Sequence, residues 1–317
     1  MSKRMLTVIL CGIVTLFFTS CSRQYDTSDT YILYQDDPYT YKIQGNSSNM
    51  AECEDGYYFF LGYYLYYADK TTMKPVILCN KPNCLHSDET DPTKITSCNA
   101  CFPSGHANEY ISYFDGNIYV LEGDTSRKSP LAHKLIRLSK DGTKRKTVLH
   151  FKYPPQSLAI HRGKVYTTSS LYDEDGASVY GVDEYDLGKS PSQKPVTIFK
   201  GTIPGGAIRD IRCYGQNVYF NEFAMTKDIR TVRIQRYDLN TKKTSCLMQE
   251  KGDDFPGTPT FLGNHLLYNY DTVDAAGNSL QSKNYICDLD GKNVKESFPT
   301  DNYQDLSTDG RYIYLDD

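Results

Sequence analysis

Tryptophan is absent from these 317 residues, and methionine and histidine occur only six times each. No long stretch carries apolar residues at i, i+3, i+4 and i+7, which excludes a helical bundle. No G-x-S-x-G elbow is present, so the sequence offers no hydrolase nucleophile of that kind. There is no Walker loop and no dinucleotide glycine motif; the Gly-Gly pair in "IPGGAIRDIR" (203–212) has no Lys-Ser after it and reads as a connection between units. Acids and bases are interspersed around a formal charge of −4, with no basic stripe, so nucleic acid is not an expected partner. The histidines fall in different parts of the chain without metal spacing, His86 excepted. "DEDG" (173–176) lacks the twelve-residue calcium-loop pattern and reads as a solvated turn.

What is present is 28 tyrosines, 22 glycines and many short runs of Val, Ile, Tyr, Phe and Thr, punctuated by DG, GN, LN and PG pairs. That is an all-β composition. The segments "DGYYFF" (55–60), "DGNIYV" (115–120), "RGKVYT" (162–167), "GQNVYF" (215–220), "GNHLLYN" (263–269) and "DGRYIYL" (309–315) repeat one another. Their glycines, Gly56, Gly116, Gly163, Gly215, Gly263 and Gly310, are separated by 60, 47, 52, 48 and 47 residues. A second signal of strand, polar turn and strand follows most of them, as in "HKLIRLSKDGTKRKTVL" (133–149) and "VRIQRYDLNTKKTSCL" (231–247). Each period holds about four strands, and a period near 50 with four strands is one propeller blade. A lone four-stranded sheet cannot bury two apolar faces; radial packing buries both.

The expected fold is therefore a β-propeller of about six four-stranded blades. In this reading each glycine turn leads into the innermost strand, and the tyrosines put their rings inside and their hydroxyls at the wet rim. The last blade is incomplete at Asp317: either "TYILYQ" (30–35) and "YTYKIQG" (39–45) supply closing strands, which leaves it one strand short, or the sequence is a truncated fragment, the reading favoured beside an imperfect closing blade. The run "YYFFLGYYLYY" (57–67) reads as core strands sharing an aromatic layer.

The first residues read as an export signal. Lys3 and Arg4 precede an apolar run from Met5 to Phe18, too short and wrongly flanked for a transmembrane helix. "FTSC" resembles the lipobox of bacterial lipoproteins, with Phe18 where leucine is usual. In that family the signal is cut before the cysteine, which then carries lipid, so the resemblance makes Cys21 the lipidation site. The expected organisation is a signal peptide at 1–20, a polar tether at 21–30 and a propeller at 31–317 with a cysteine-rich insert at 79–101. Loss of Lys3 and Arg4 takes the formal charge to −6. An anionic domain gains nothing from lying on anionic lipid, so the acyl chains alone are expected to hold it.

"CNKPNCLHSDETDPTKITSCNAC" runs from Cys79 to Cys101. Tetrahedral zinc fits either Cys79, Cys84, His86 and Cys98 or Cys79, Cys84, Cys98 and Cys101. Disulfides among the same four cysteines are natural in an exported protein, and free thiols are a third arrangement. In each case the role is structural, ordering a long insert. Cys53, Cys213, Cys246 and Cys287 lie at or near strands and read as small buried apolar residues.

Lipobox, tyrosine-rich DG-x-φ-Y repeats and "YDLN"-type hairpins together resemble the TolB-like six-bladed propeller lipoproteins of Gram-positive gut bacteria, over residues 21–317. The resemblance implies a propeller on the outer face of the cell membrane, held by its N-terminal lipid, with no established enzymatic activity; within the insert it favours Cys98 over Cys101 as the partner of Cys79, Cys84 and His86. The expectation is a binding or scaffold module for a protein or glycan without catalysis, recognising its partner through "EGDTSRKS", "SLYDEDGAS", "NEFAMTKDIR" and "YDTVDAAGNS". The alternative is a metal-dependent propeller enzyme, lactonase- or lyase-like, with carboxylates or histidines converging on the channel.

Overall fold

Two-residue turns set the strand register. Phe114 pairs with Asn117 across Asp115-Gly116, and His161 with Lys164 across Arg162-Gly163. Both central residues have positive φ in each turn (50° and 72°, 47° and 75°). This is the type I′ geometry, whose twist matches that of the flanking strands. Tyr214 and Asn217 close around Gly215, and Leu262 and His265 around Gly263, with positive φ at the glycine.

The computed structural model describes residues 25–38, 50–84, 86, 98–102, 110–123, 133–152, 155–172, 178–226, 229–252, 254–274, 279–299, 305–308 and 312–316. These residues form 23 strands and no helix. The first blade is β1 (Met50–Glu52), β2 (Gly56–Leu61), β3 (Tyr64–Asp69) and β4 (Pro75–Ile77). The second is β5 (Ile111–Phe114), β6 (Asn117–Glu122), β7 (His133–Ser139) and β8 (Arg145–Phe151). The third is β9 (Leu158–His161), β10 (Lys164–Tyr172), β11 (Ser178–Asp186) and β12 (Val196–Lys200). The fourth is β13 (Gly206–Tyr214), β14 (Asn217–Thr226), β15 (Ile229–Asp238) and β16 (Lys243–Lys251). In the fifth, β17 (Asp254–Pro256) and β18 (Thr260–Leu262) both pair with β19 (His265–Val273), followed by β20 (Ser279–Asp288) and β21 (Lys295–Pro299). The split falls at "PGTP" (256–259), where two prolines lack the N–H a continuous ladder needs. β22 (Asp305–Thr308) and β23 (Ile313–Asp316) form a two-stranded sixth unit. Every sheet is an antiparallel meander. First strands touch from blade to blade, β1 on β5, β9 on β13 and β18 on β22, and so face the axis. The fold is an all-β propeller whose last blade has two strands among the described residues.

The recurring glycine joins the first strand of a blade to its second, and does not lead into the innermost strand as the sequence was read. The apolar run after it is the second strand, which is buried on both faces. Ile118 and Val120 pack toward blade 1, and Tyr119 toward blade 3. Val165 and Tyr166 divide in the same way, as do Val218 and Tyr219. The φ-Y pair of the repeat is thus one residue for the preceding blade and one for the next. The hydroxyls are not all at the wet rim: Tyr58 donates to Lys140 O (3.1 Å) and Tyr219 to Leu289 O (2.9 Å), each in the outer hairpin of the following blade.

Residues 25–38 run across the first turns of blades 2, 3 and 4. Residues 25–30, expected as tether, are docked, and 30–35 is a turn rather than a closing strand; 39–49 lie outside the described residues. Arg162 explains the docking. Its Nε and Nη2 donate to both oxygens of Asp36 (2.6 and 3.1 Å), Nη1 to Asp26 O and Ser28 O (3.0 and 2.7 Å), and Nη2 also to Thr30 O (2.7 Å). All five guanidinium N–H groups are engaged. The Arg162 backbone N–H donates to Gln35 O and that of Asp115 to Tyr34 O. Tyr25, Tyr34 and Tyr31 pack on Phe114, Tyr113 and Tyr214. His161, fully buried, accepts from Asp37 N at Nδ1 (3.1 Å) and donates from Nε2 to Gly215 O (2.8 Å). A side chain added at Gly163 would strike the Tyr25 ring, and one at Gly215 the Asp29 carbonyl.

Arg162→Met leaves the Asp36 carboxylate buried and uncompensated, which is expected to lower unfolding free energy by about 3–5 kcal/mol. Removal of Lys164 from its half-exposed pair with Asp186 should cost under about 1 kcal/mol. Urea unfolding of the two variants checks the contrast. Burial holds the His161 imidazole below its ordinary range, against the opposing pull of Asp36. Its neutral form therefore contributes stability above the unfolded value of about 6.5, lost as pH falls below it. Urea midpoints at stepped pH should fall in acid, and fall less in His161→Gln.

Candidate metal centre

The insert between blades 1 and 2 hangs from β3 by both arms. On one side Leu78 N donates to Leu65 O and Cys79 N to Ile77 O. The chain then turns through Pro82 and Asn83, the latter with φ of 58°, and delivers Cys84 and His86. On the other side Leu65 N donates to Ala100 O and Phe102 N to Tyr63 O, which sets Cys98 opposite. Blade 2 clamps this arm. Asn99 donates to Gly142 O and Thr143 O (2.8 and 3.0 Å). Arg145 donates to Asn99 O and Cys101 O, pairs with Glu122 at 2.8 Å and stacks on the Phe102 ring at 4.1 Å.

The sulfurs of Cys79, Cys84 and Cys98 and one ring nitrogen of His86 all lie within 4.8 Å of one another. Cys98 Sγ is 4.0 Å from His86 Nδ1. Ligands about 2.0–2.3 Å from a tetrahedral ion stand about 3.3–3.8 Å apart, so a small inward movement closes the set. No disulfide bond joins the four cysteines of the insert in this structure. Cys101 is outside the group: it pairs with Tyr64 as a bridge residue and is buried. Of the two ligand sets, the structure assembles Cys79, Cys84, His86 and Cys98.

Burial disfavours the Cys79 thiolate, but N–H groups of Lys81 and Asn99 and the thiols of Cys84 and Cys98 donate to it and hold the thiol below its ordinary range. Amide donation to a ligand sulfur also orients it. Burial first, and the neighbouring Cys84 and Cys79, push the Cys98 thiol well up, so proton release there must accompany metal entry. Four protein ligands would leave no open position on a tetrahedral ion, the arrangement of a site that orders the chain rather than one that activates water.

The other sequence-named residues lie apart. Cys21 and 173–176 fall outside the described residues. Cys53, Cys213 and Cys287 are buried as expected, but Cys246 is exposed, because β16 is an outermost strand. Cys53, Glu54 and Asp55 also approach one another, with Lys140 already on both carboxylates (3.2 and 2.9 Å). Most of the aromatic run 57–67 packs in the β2–β3 hairpin; Tyr63, in the turn, is 41% exposed. Inside the first-strand ring, Asp36 is turned to Arg162 and His161 has both nitrogens bonded, so these groups lock the N-terminal segment. The sequence reading missed them, because a clamp of one arginine on three carbonyls leaves no periodic trace.

No family model matches the chain, and no curated protein matches it. Among solved structures it is similar to oligogalacturonate lyase in complex with manganese (12% identity, TM-score 0.47, covering 86% of this chain and 77% of that one). It is also similar to the β-propeller domain of the trilobed protease from Pyrococcus furiosus (11%, 0.48, 88% and 78%). A third is the tricorn protease (14%, 0.44), of which the chain covers 80% of its own length but 23% of that chain. Two of these are enzymes by name and the third is a domain of a protease. The expectation that the chain is not an enzyme is withdrawn on that finding.

The cluster is expected to bind one thiophilic divalent ion per chain, measured by elemental analysis with thiol counting. Cys98→Ser should lose the ion and Cys101→Ser should keep it; loss in Cys101→Ser with retention in His86→Ala would mean the Cys₄ set. Acid should release it, since the thiolates must be protonated.

Proposed function

We propose that this chain is a TolB-like propeller lipoprotein, attached through lipid on Cys21 to the outer face of the cell membrane. In this reading zinc on Cys79, Cys84, His86 and Cys98 orders the insert, and the propeller recognises a protein or glycan through the face formed by its second-to-third-strand turns. N and S donors in a tetrahedral Cys₃His set favour zinc over magnesium or calcium, which take oxygen.

The observation that carries the reading is the distribution of exposed apolar side chains. Leu61 and Tyr63 in blade 1, Val179 in blade 3, Met225 and Ile229 in blade 4 and Leu280 in blade 5 are all exposed, Leu280 by 67%. Each sits at the end of a second strand, in the turn after it or at the start of a third, so the meander brings four blades' contributions to one face. Single exposed apolar residues are ordinary. Their gathering on one face, among polar loops, is the composition of a recognition surface. The sequence reading saw only the polar loops, because these residues are scattered over some 220 positions.

Metabolic labelling with palmitate should mark the wild type and not Cys21→Ser. Polysaccharides and surface proteins immobilised on an array should capture the chain, and the double variant Ile229→Glu, Leu280→Glu should lose at least about tenfold in capture with an unchanged melting temperature. The captured polymer is assayed for new chain ends in the same wells, so turnover is read beside binding. Equal capture by the variant would refute this choice of face.

A further inference from the structure

A groove opens beside the metal centre. It lies between the outer strands of blade 1 and the outer hairpin of blade 2 and has a volume of about 670 Å³. Its lining runs from Tyr67, Val76 and Asn80 on one side to Ser139 and Lys140 on the other, and includes Cys79. The three clustered thiols differ in their access to it. Cys98 is 3% exposed, whereas Cys79 and Cys84 are half-buried. Of the three, Cys79 alone lines the groove. A reagent the size of a small peptide therefore meets Cys79 first, and a thiol reacts only as fast as it can be reached.

The thiols also differ in how firmly the chain holds them. Cys79 follows Leu78, whose N–H donates to Leu65 O, and Cys98 stands two residues before Ala100, whose carbonyl accepts from Leu65 N. One residue of β3 thus fastens both cysteines, one on each arm of the insert. The Asn99 backbone N–H donates to the Cys79 sulfur, and the Asn99 side chain is held by Gly142 O and Thr143 O of blade 2. Cys84 comes after the Pro82-Asn83 turn. Among the described residues, no backbone-to-backbone hydrogen bond holds Pro82, Asn83 or Cys84. Two sulfurs must close to about 2.05 Å to bond. Cys79 and Cys98, already fixed on Leu65, give up the least chain freedom in doing so.

We propose that Cys79 is a modification site for low-molecular-weight disulfides that enter this groove, and that the reaction ends in a Cys79–Cys98 disulfide with release of the ion. Release of the ion rests on the metal reading above; the thiol chemistry does not. Cys79 Sγ attacks one sulfur of the reagent, whose S–S bond breaks, and half of the reagent leaves as a thiolate. Cys98 Sγ then attacks Cys79 Sγ and expels the other half. Two electrons pass from the protein to the reagent, which departs as two thiols. Their protons come from the two protein thiols or, in the loaded chain, from water. Zinc takes no electrons. It loses two of four ligands and is left with Cys84 and His86, half of a tetrahedral set. The new bond replaces the ion as the link between the two arms, and the segment that carries Cys84 and His86 is let go.

The test treats the full chain with oxidised glutathione, once loaded with zinc and once metal-free. Peptide mapping should find the Cys79–Cys98 bond in both. In the loaded chain a chromogenic chelator should read one ion released per bond formed, and Cys84 should become open to alkylation as the ion leaves. Buried Cys101 should stay unmodified. Among metal-free chains, Cys84→Ala should form the same bond at the wild-type rate, and Cys79→Ala should consume the reagent at least about tenfold more slowly. Val76→Trp fills the groove from a side chain that is 56% exposed. It should slow the wild-type reaction several-fold while leaving the melting temperature and zinc content unchanged. A first adduct on Cys84, a bond that joins Cys84 to either partner, or an unchanged rate in both Cys79→Ala and Val76→Trp would overturn the proposal. Retention of the ion while the bond forms would refute the release. If the chain takes up no zinc at all, the metal reading fails, while the bond mapped in the metal-free chain still decides the modification.

Discussion

Arg162 is the point on which the architecture turns. It occupies a left-handed backbone position in a tight turn, is 6% exposed, and engages every donor of its guanidinium. A charge buried this deeply is tolerable only with a partner and saturated hydrogen bonding. Asp36 supplies the first and three carbonyls of residues 26–30 supply the second. The same contacts join the N-terminal segment to blade 3, and through Asp115, Gln216 and Gly215 to blades 2 and 4. A propeller whose last blade has two strands among the described residues holds three consecutive blades by this other means.

The rest follows from sheets with two apolar faces. Each second strand sends alternate side chains to opposite neighbours, so Ile118 and Tyr119 belong to different cores although they are adjacent in sequence. Loss of either blade–blade contact exposes one whole side of a sheet, which is why blades do not stand alone. The tyrosines add direction, since Tyr58 and Tyr219 each reach the outer hairpin of the blade that follows.

The blades were legible because period-2 burial repeats itself along the chain, and the φ-Y pair is a local record of it. The glycine turns were legible as turns, but their place between first and second strands depends on which strand meets the axis, and that is a tertiary fact. The candidate ligands were legible from spacing, and the resemblance already favoured the set with His86; in the structure Cys101 is a bridge partner of Tyr64 and lies outside the group. Cys246 was misread because alternation alone does not tell an outer strand from an inner one. The strap and the apolar face escaped for one reason. Each is assembled from residues in different blades, and only the meander decides which ends coincide.

The strap also fixes how load enters the molecule. Tension applied upstream of Tyr25 meets the carbonyls of Asp26, Ser28 and Thr30 on a single guanidinium, so these bonds are strained in parallel rather than opened one after another. From Arg162 the force enters the turn that joins β9 to β10, and is shared with the neighbouring turns at Asp115 and Gly215. Blade 1, whose short β1 would peel readily, is bypassed. The chain is built to be pulled by its N-terminus without being unzipped from it.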